Sequence, residues 1–108
     1  MAAAPNVDLL FKALGDKTRR LVVENLSRGP ATVSELAMPF DLALPSFMQH
    51  MKMLEEAGLV KSTKEGRVRI YRLNRAGFKP VQSWLSSQER MWEKRLNQLD
   101  SYLLEEME

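Results

Sequence analysis

The chain has no cysteine and one histidine, His50. The first absence removes disulfides, thiolate metal sites and thiol switches. A lone histidine cannot hold a metal, and no cluster of His, Asp or Glu surrounds it in sequence, so no metal or cofactor is expected. No apolar run approaches the roughly 20 residues that span a bilayer. The opening MAAAPNVDLL has neither a basic leader nor a long apolar stretch, so no signal peptide is expected and the chain reads as cytoplasmic. Asp16, Glu24 and Glu35 are scattered and read as caps and surface charges. With no Ser–His–Asp grouping and no glycine-rich phosphate loop, an enzyme is not expected.

At 108 residues the chain is one domain. Its net charge of +2 nominates no partner, but the distribution does. Between Gly58 and Lys79 stand seven bases against the single acid Glu65. From Trp84 to Glu108 there are six acids against three bases. A basic segment attracts phosphate, and an acidic one avoids it.

Hydrophobic spacing and stop signals divide the chain. Met1–Asn6 reads as a frayed lead-in. Val7, Leu10, Phe11 and Leu14 mark one face of a helix that Gly15 ends. Asp16 can cap a second helix, Lys17–Ser27, with Leu21, Val22 and Leu26 inward. Arg28-Gly29-Pro30 breaks the chain, and Thr32 with Glu35 suits a capping box for Val33–Met38. The next helix runs from about Leu44 to Ala57, stopped by Gly58. Ala43 cannot cap it, whereas Ser46 and Gln49 fit a capping box, so a start at Pro45 or one turn later is also open. Leu59–Thr63 and Val68–Leu73 read as strands joined through Lys64-Glu65-Gly66-Arg67, and a long helix follows from about Val81 to Leu104.

This is a mainly α (α+β) plan: a winged helix-turn-helix with a two-stranded β-wing and a long C-terminal helix for dimerisation. Residues 7–80 are expected to form a DNA-binding core and 81–107 a dimerisation helix. Helix phase sends Phe47, Met51 and Leu54 to the core. Gln49 and Lys52 then face outward, with Ser46, Met48 and Met53 on the flanks and His50 at the edge of the buried face. On the second strand the bases alternate with Val68, Ile70 and Leu73, which puts them on one side, with Lys64 and Arg67 at the tip. The expected DNA contacts are Ser46, Met48, Gln49, His50 and Lys52 on the helix and Lys64, Arg67 and Arg69 on the wing. For His50, helix packing and a phosphate contact both stay open. Arg19 and Arg20 suit either the DNA backbone or an internal ion pair, and Arg72 and Arg75 suit local acids. In the last helix, Leu85, Trp92, Leu96, Leu99 and Leu103 make a packing seam, widened by Trp84, that outlasts any need of the core.

The segments LFKALGDKTRRLVVENL, SELA and PFDLALPSFMQHMKMLEEAGLVKSTKEGRVRIYRLN, with the tail residues Trp84, Trp92, Leu96 and Leu99, resemble the ArsR/SmtB winged-helix repressors of bacteria. The tail most resembles their cysteine-free, SdpR-like branch. The resemblance implies a homodimer on double-stranded operator DNA, usually a repressor and often of its own promoter. It also implies that the first helix, through Leu10, joins Trp84, Leu85, Trp92, Leu96, Leu99 and Leu103 in the dimer interface. The family's best-known metal motif puts cysteines where this chain has Met38 and Phe40, which excludes thiolate sensing. The family usually has a small polar residue at Met48 and Lys or Arg at Gln49. Here Gln49 could pair with adenine and Met48 pack on a thymine methyl, so the operator should differ. The other readings are a winged-helix protein-interaction module, a regulator sensing a small apolar effector of unknown identity at the dimer interface, and, least, a small enzyme.

Overall fold

The computed structural model describes residues 7–107. The lead-in expected over Met1–Asn6 lies outside them. Helix α1 (Val7–Leu14) and helix α2 (Lys17–Leu26) are followed by strand β1 (Ala31–Thr32), helix α3 (Val33–Ala37) and helix α4 (Leu44–Glu56). Strands β2 (Val60–Glu65) and β3 (Val68–Leu73), a 3-10 turn (Arg75–Phe78) and helix α5 (Lys79–Met107) complete them. The fold is the expected winged helix-turn-helix, with one strand more in its sheet.

The first two helices meet at a corner made by side chains. Asp16 caps α2 by accepting from the Arg19 amide at 3.0 Å. The last carbonyls of α1, orphaned by the end of the helix, are taken by two guanidinium groups of α2. Arg19 donates through Nε to Ala13 O at 2.6 Å and through Nη2 to Lys12 O at 3.1 Å. Arg20 donates to Leu14 O at 2.8 Å. Cations at a helix C-terminus also oppose its dipole. At α3 the capping box between Thr32 and Glu35 forms as expected.

Helix α4 starts at Leu44 without a side-chain cap, Ala43 holding the cap position. The box expected between Ser46 and Gln49 is not made, because Pro45 already fits the first turn and the Phe47 amide reaches Ala43 O. Phe47, Met51 and Leu54 are fully buried, as their phase requires. They pack with Val22, Leu26 and Leu36 from the earlier helices and with Leu59, Val60 and Tyr71 from the wing. Leu21, expected inward, is more than a third exposed. The end of α4 is a Schellman turn: Gly58 N donates to Glu55 O and Leu59 N to Leu54 O, with Gly58 at φ +77°.

That turn delivers the chain into a hairpin longer than the sequence suggested. Glu65 pairs with Val68, leaving a two-residue loop in which Gly66 takes φ +65°. A third strand, β1, pairs through Ala31 with Tyr71 and through Thr32 with Ile70, giving the order β1-β3-β2. Below the hairpin the chain closes on itself. Asn74 donates from Nδ2 to Gly58 O at 2.8 Å and from its backbone to Leu59 O at 2.8 Å. Gly77 lies so close that a Cβ there would run into the Gly58 carbonyl.

Helix α5 then leaves the body. Val81 is its only buried residue among those described, and everything from Glu89 to Met107 is exposed. Twenty-nine residues make a rod of about 43 Å. The radius of gyration is accordingly 19.7 Å, against about 13 Å for a compact chain of this length.

Two substitutions test this packing by urea unfolding followed by circular dichroism. Phe47→Ala empties the centre of the core and should cost about 3–5 kcal/mol. Gly77→Ala adds only one methyl, yet should cost about 1–3 kcal/mol because backbone has to move. A Gly77→Ala chain as stable as its parent would show that the neck of the hairpin is not closed.

Candidate nucleic-acid interface

With one stripe of α4 buried, the opposite stripe is fixed outward. Ser46, Gln49 and Lys52 are exposed, and Met48 is half-buried beside them. Lys52 carries a loose i,i+4 pair with Glu56 at 3.8 Å, exposed and of little energetic weight. The helix thus offers an amide, a thioether, a hydroxyl and an ammonium in two turns.

The wing stands next to this face. Register places Val60, Ser62 and Lys64 opposite Leu73, Tyr71 and Arg69, so these share the inner side of the hairpin. Lys61, Thr63 and Glu65 share the outer side with Arg72, Ile70 and Val68. The bases therefore do not lie on one side, as the sequence suggested: Leu73 is out of step with Val68 and Ile70. Arg69 is on the inner side, donating to Ser62 Oγ at 2.9 Å. Arg72 is on the outer side, tied to Thr63 Oγ1 at 2.8 Å and Glu65 at 3.2 Å, which bears out its expected pairing with a local acid. Arg67 and Lys64 are exposed at the tip.

Between α4 and the wing is a hollow of about 340 Å³ lined by Met48, Lys52, Glu55, Arg69 and Tyr71. A second, of about 240 Å³, runs from the start of α3 (Thr32, Val33, Ser34) to Arg67, Val68 and Arg69. Arg69 borders both. Burial pushes the Tyr71 hydroxyl up, and the neighbouring Glu55 carboxylate adds to it, so the phenol stays neutral at the floor of the first hollow. Lys52 and Arg69 leave the rim positive.

His50 sits apart from the other expected contacts. It faces the α1–α2 corner, with Nδ1 at 2.9 Å from Arg19 Nη1 and 3.7 Å from Asp16 Oδ2. Arg19 and Arg20, open between DNA and internal pairing, both donate to α1 carbonyls, Arg19 through Nε and Nη2 and Arg20 through Nη1. The sequence did carry a signal for this corner, an aspartate cap followed three residues on by arginine, but nothing in it marks the partners across the chain.

The residues expected to form a dimer seam divide differently. Trp84, Leu85, Trp92, Leu96, Leu99 and Leu103 are exposed, Trp92 at 60%. Leu10 is 2% exposed and belongs to the subunit's own core, so it offers no surface to a partner. Its neighbour Phe11, 38% exposed, is the α1 residue on that side and meets Trp84 edge-on at 5.4 Å between ring centroids. Among the described residues no group of three His, Asp or Glu could hold a metal ion, and no helix is long and apolar enough to cross a membrane.

The chain matches a helix-turn-helix domain family over residues 14–63. It is 35% identical over 96 residues to the HTH-type transcriptional regulator Rv2034 of Mycobacterium tuberculosis, covering 89% of this chain and 87% of that one. It is 29% identical over 76 residues to the transcriptional repressor SdpR of Bacillus subtilis, covering 70% and 84%. Among solved structures it resembles the crystal structure of an ArsR family transcriptional regulator. That likeness has a TM-score of 0.77 and 52% identity, over 81% of this chain and 96% of the other.

The two cap carboxylates give the fold an acid limit. Burial raises Asp16, but hydrogen bonds from the Arg19 and Thr18 amides and the charge of Arg19 outweigh it, and the net position is below the usual value. Bonds from the Thr32 amide and hydroxyl lower Glu35. Folded values below unfolded ones mean stability that is complete above the unfolded carboxylate range, about pH 4–5, and lost as pH falls through the folded values. Asp16→Asn keeps a capping oxygen without a titrating group. Its unfolding midpoint should fall less steeply than the parent's under acid, and parallel curves would remove Asp16 from the account.

Proposed function

The chain belongs to the ArsR family of winged helix-turn-helix transcriptional regulators, and we propose that it works as a homodimeric repressor of operator DNA, with its own promoter among the targets. Within the family we assign it to the cysteine-free, SdpR-like branch, a placement supported by the absence of cysteine and the likeness to SdpR. The observation that carries the reading is the pairing of an exposed polar stripe on α4 with a basic wing beside it.

On this reading Ser46, Met48, Gln49 and Lys52 enter the major groove, Gln49 reading adenine and Met48 lying on a thymine methyl. Lys64, Arg67 and Arg69 hold phosphates or the adjoining minor groove. Trp84, Leu85, Trp92, Leu96, Leu99 and Leu103, with Phe11 in place of Leu10, bury their exposed apolar surface against a second copy. The two recognition helices then meet half-sites about one helical turn, roughly 34–36 Å, apart. Residues 7–80 act as the DNA-binding core and 81–107 as the dimerisation helix, in the bacterial cytoplasm and without a metal or cofactor.

Fluorescence anisotropy on a duplex from the protein's own promoter, against a scrambled duplex over a salt series, tests the reading. Sequence-specific binding should exceed non-specific binding by about three decades or more. Equal affinity for both duplexes would rule out autoregulation, and no binding to either would remove the repressor assignment. Arg67→Ala should weaken both duplexes alike and reduce the salt slope by about one. Trp92→Glu should give monomers in sedimentation and abolish tight operator binding; a persistent dimer would show that the seam is elsewhere.

A further inference from the structure

The Arg19–His50 contact joins three elements at one point, and neither the core nor the DNA-facing stripe accounts for it. Arg19 is rooted in α2. Its Nε and Nη2 hold the Ala13 and Lys12 carbonyls at the end of α1, and its Nη1 reaches His50 on α4. Helix α1 is also the element that packs Phe11 against Trp84 of α5, on the exposed apolar side of the molecule. A single guanidinium therefore bridges that side and the recognition helix.

The chemistry of the contact fixes the state of the histidine. A guanidinium has only donors and keeps its charge. At 2.9 Å from Nη1, His50 Nδ1 must accept, so its hydrogen is on Nε2 and the ring is neutral. Asp16 would favour the opposite arrangement, but at 3.7 Å its oxygen is beyond hydrogen-bond range, and it already holds the Arg19 amide. A charged His50 would set two cations against each other. Lys or Gln at position 19 could not hold both α1 carbonyls and the ring, because neither has the planar fork.

We propose that Arg19 and His50 are positioning residues that set the recognition helix relative to the α1–α5 side of the subunit, and that His50 does this as a neutral acceptor at Nδ1, not as a phosphate-binding cation. The proposal rests on the DNA-binding reading for its consequence but not for its geometry. Truncating either residue leaves the DNA-facing stripe intact and lets α4 shift beneath it. Affinity then falls without the loss of any phosphate contact.

His50 is the only histidine, so nitrogen-15 labelling of histidine reports one ring. In alkaline buffer the free protein should show the Nε2–H tautomer with an accepting Nδ1. Arg19→Gln should turn this into the averaged signal of an unheld imidazole and shift the amides of Gln49 to Met53. The Nδ1–H tautomer in the parent would overturn the proposal. In operator binding, Arg19→Gln and His50→Leu should each lose about tenfold, the worth of one base contact, with an unchanged salt slope. The double variant should be no worse than either single one, since both break the same contact. His50→Asn, whose side-chain oxygen can stand in for Nδ1, should recover most of the affinity. A salt slope lower by about 0.9 in His50→Leu or Arg19→Gln would identify a direct phosphate contact and overturn it. If the unaltered chain binds no DNA, the repressor reading falls, while the ring tautomer and the α4 amides still decide whether the junction holds the helix.

Discussion

The burial of one stripe of α4 is the constraint from which most of this molecule follows. Phe47, Met51 and Leu54 touch core residues from the earlier helices and from the hairpin. Removing them from water is worth about 1.5–3 kcal/mol each. A helix has one rotation that satisfies all three. That rotation dictates that Ser46, Gln49 and Lys52 face solvent, and it puts His50 on the border, next to the α1–α2 corner. The readable surface is a by-product of packing, and its precision comes from the core beneath it.

The wing is placed by a different kind of force. Leu59, Val60 and Tyr71 anchor its base in the core, and backbone hydrogen bonds and glycine geometry set its direction. Gly58 turns the chain out of α4, Gly66 reverses it, and Asn74 and Gly77 close the loop on Gly58. Arg72 is tied down on the outer side of the hairpin by Thr63 and Glu65. Lys64, Arg67 and Arg69 are on or near the side and tip that border the hollows. The charge count of the segment overstates its reach, because a base bound to a local carboxylate has less to offer a phosphate.

Much of this was legible from periodicity. The α4 stripe, the caps at Asp16 and Thr32 and the stop at Gly58 each have a local signature, and each is where it was expected. What was not legible depends on contacts distant in sequence. Strand β1 is two residues long and has no period to detect. Leu10 was assigned to the dimer seam because the resemblance puts the first helix there, and only the packed body shows that Leu10 and Ala13 go in while Phe11 turns toward α5. The roles of Arg19 and Arg20 could not be read either, since an arginine holding carbonyls of the previous helix leaves no pattern beyond its own charge. The outward placement of Gln49 follows from phase alone, whereas Met48 comes to line the hollow only through the wing beside it.

The neck at Gly58, Asn74 and Gly77 makes α4 and the hairpin one rigid body, pinned together at the point where the chain departs into α5. Helix α5 begins two residues after Gly77. A tilt of that long rod about the neck would carry helix and wing through space together, with α1, packed on α5 through Phe11 and Trp84, following it. The span between them, and with it the width of DNA backbone they can straddle, stays constant. What such a tilt changes is the aim of the whole reading head. The geometry within a half-site and the geometry between half-sites are thereby separate mechanical degrees of freedom.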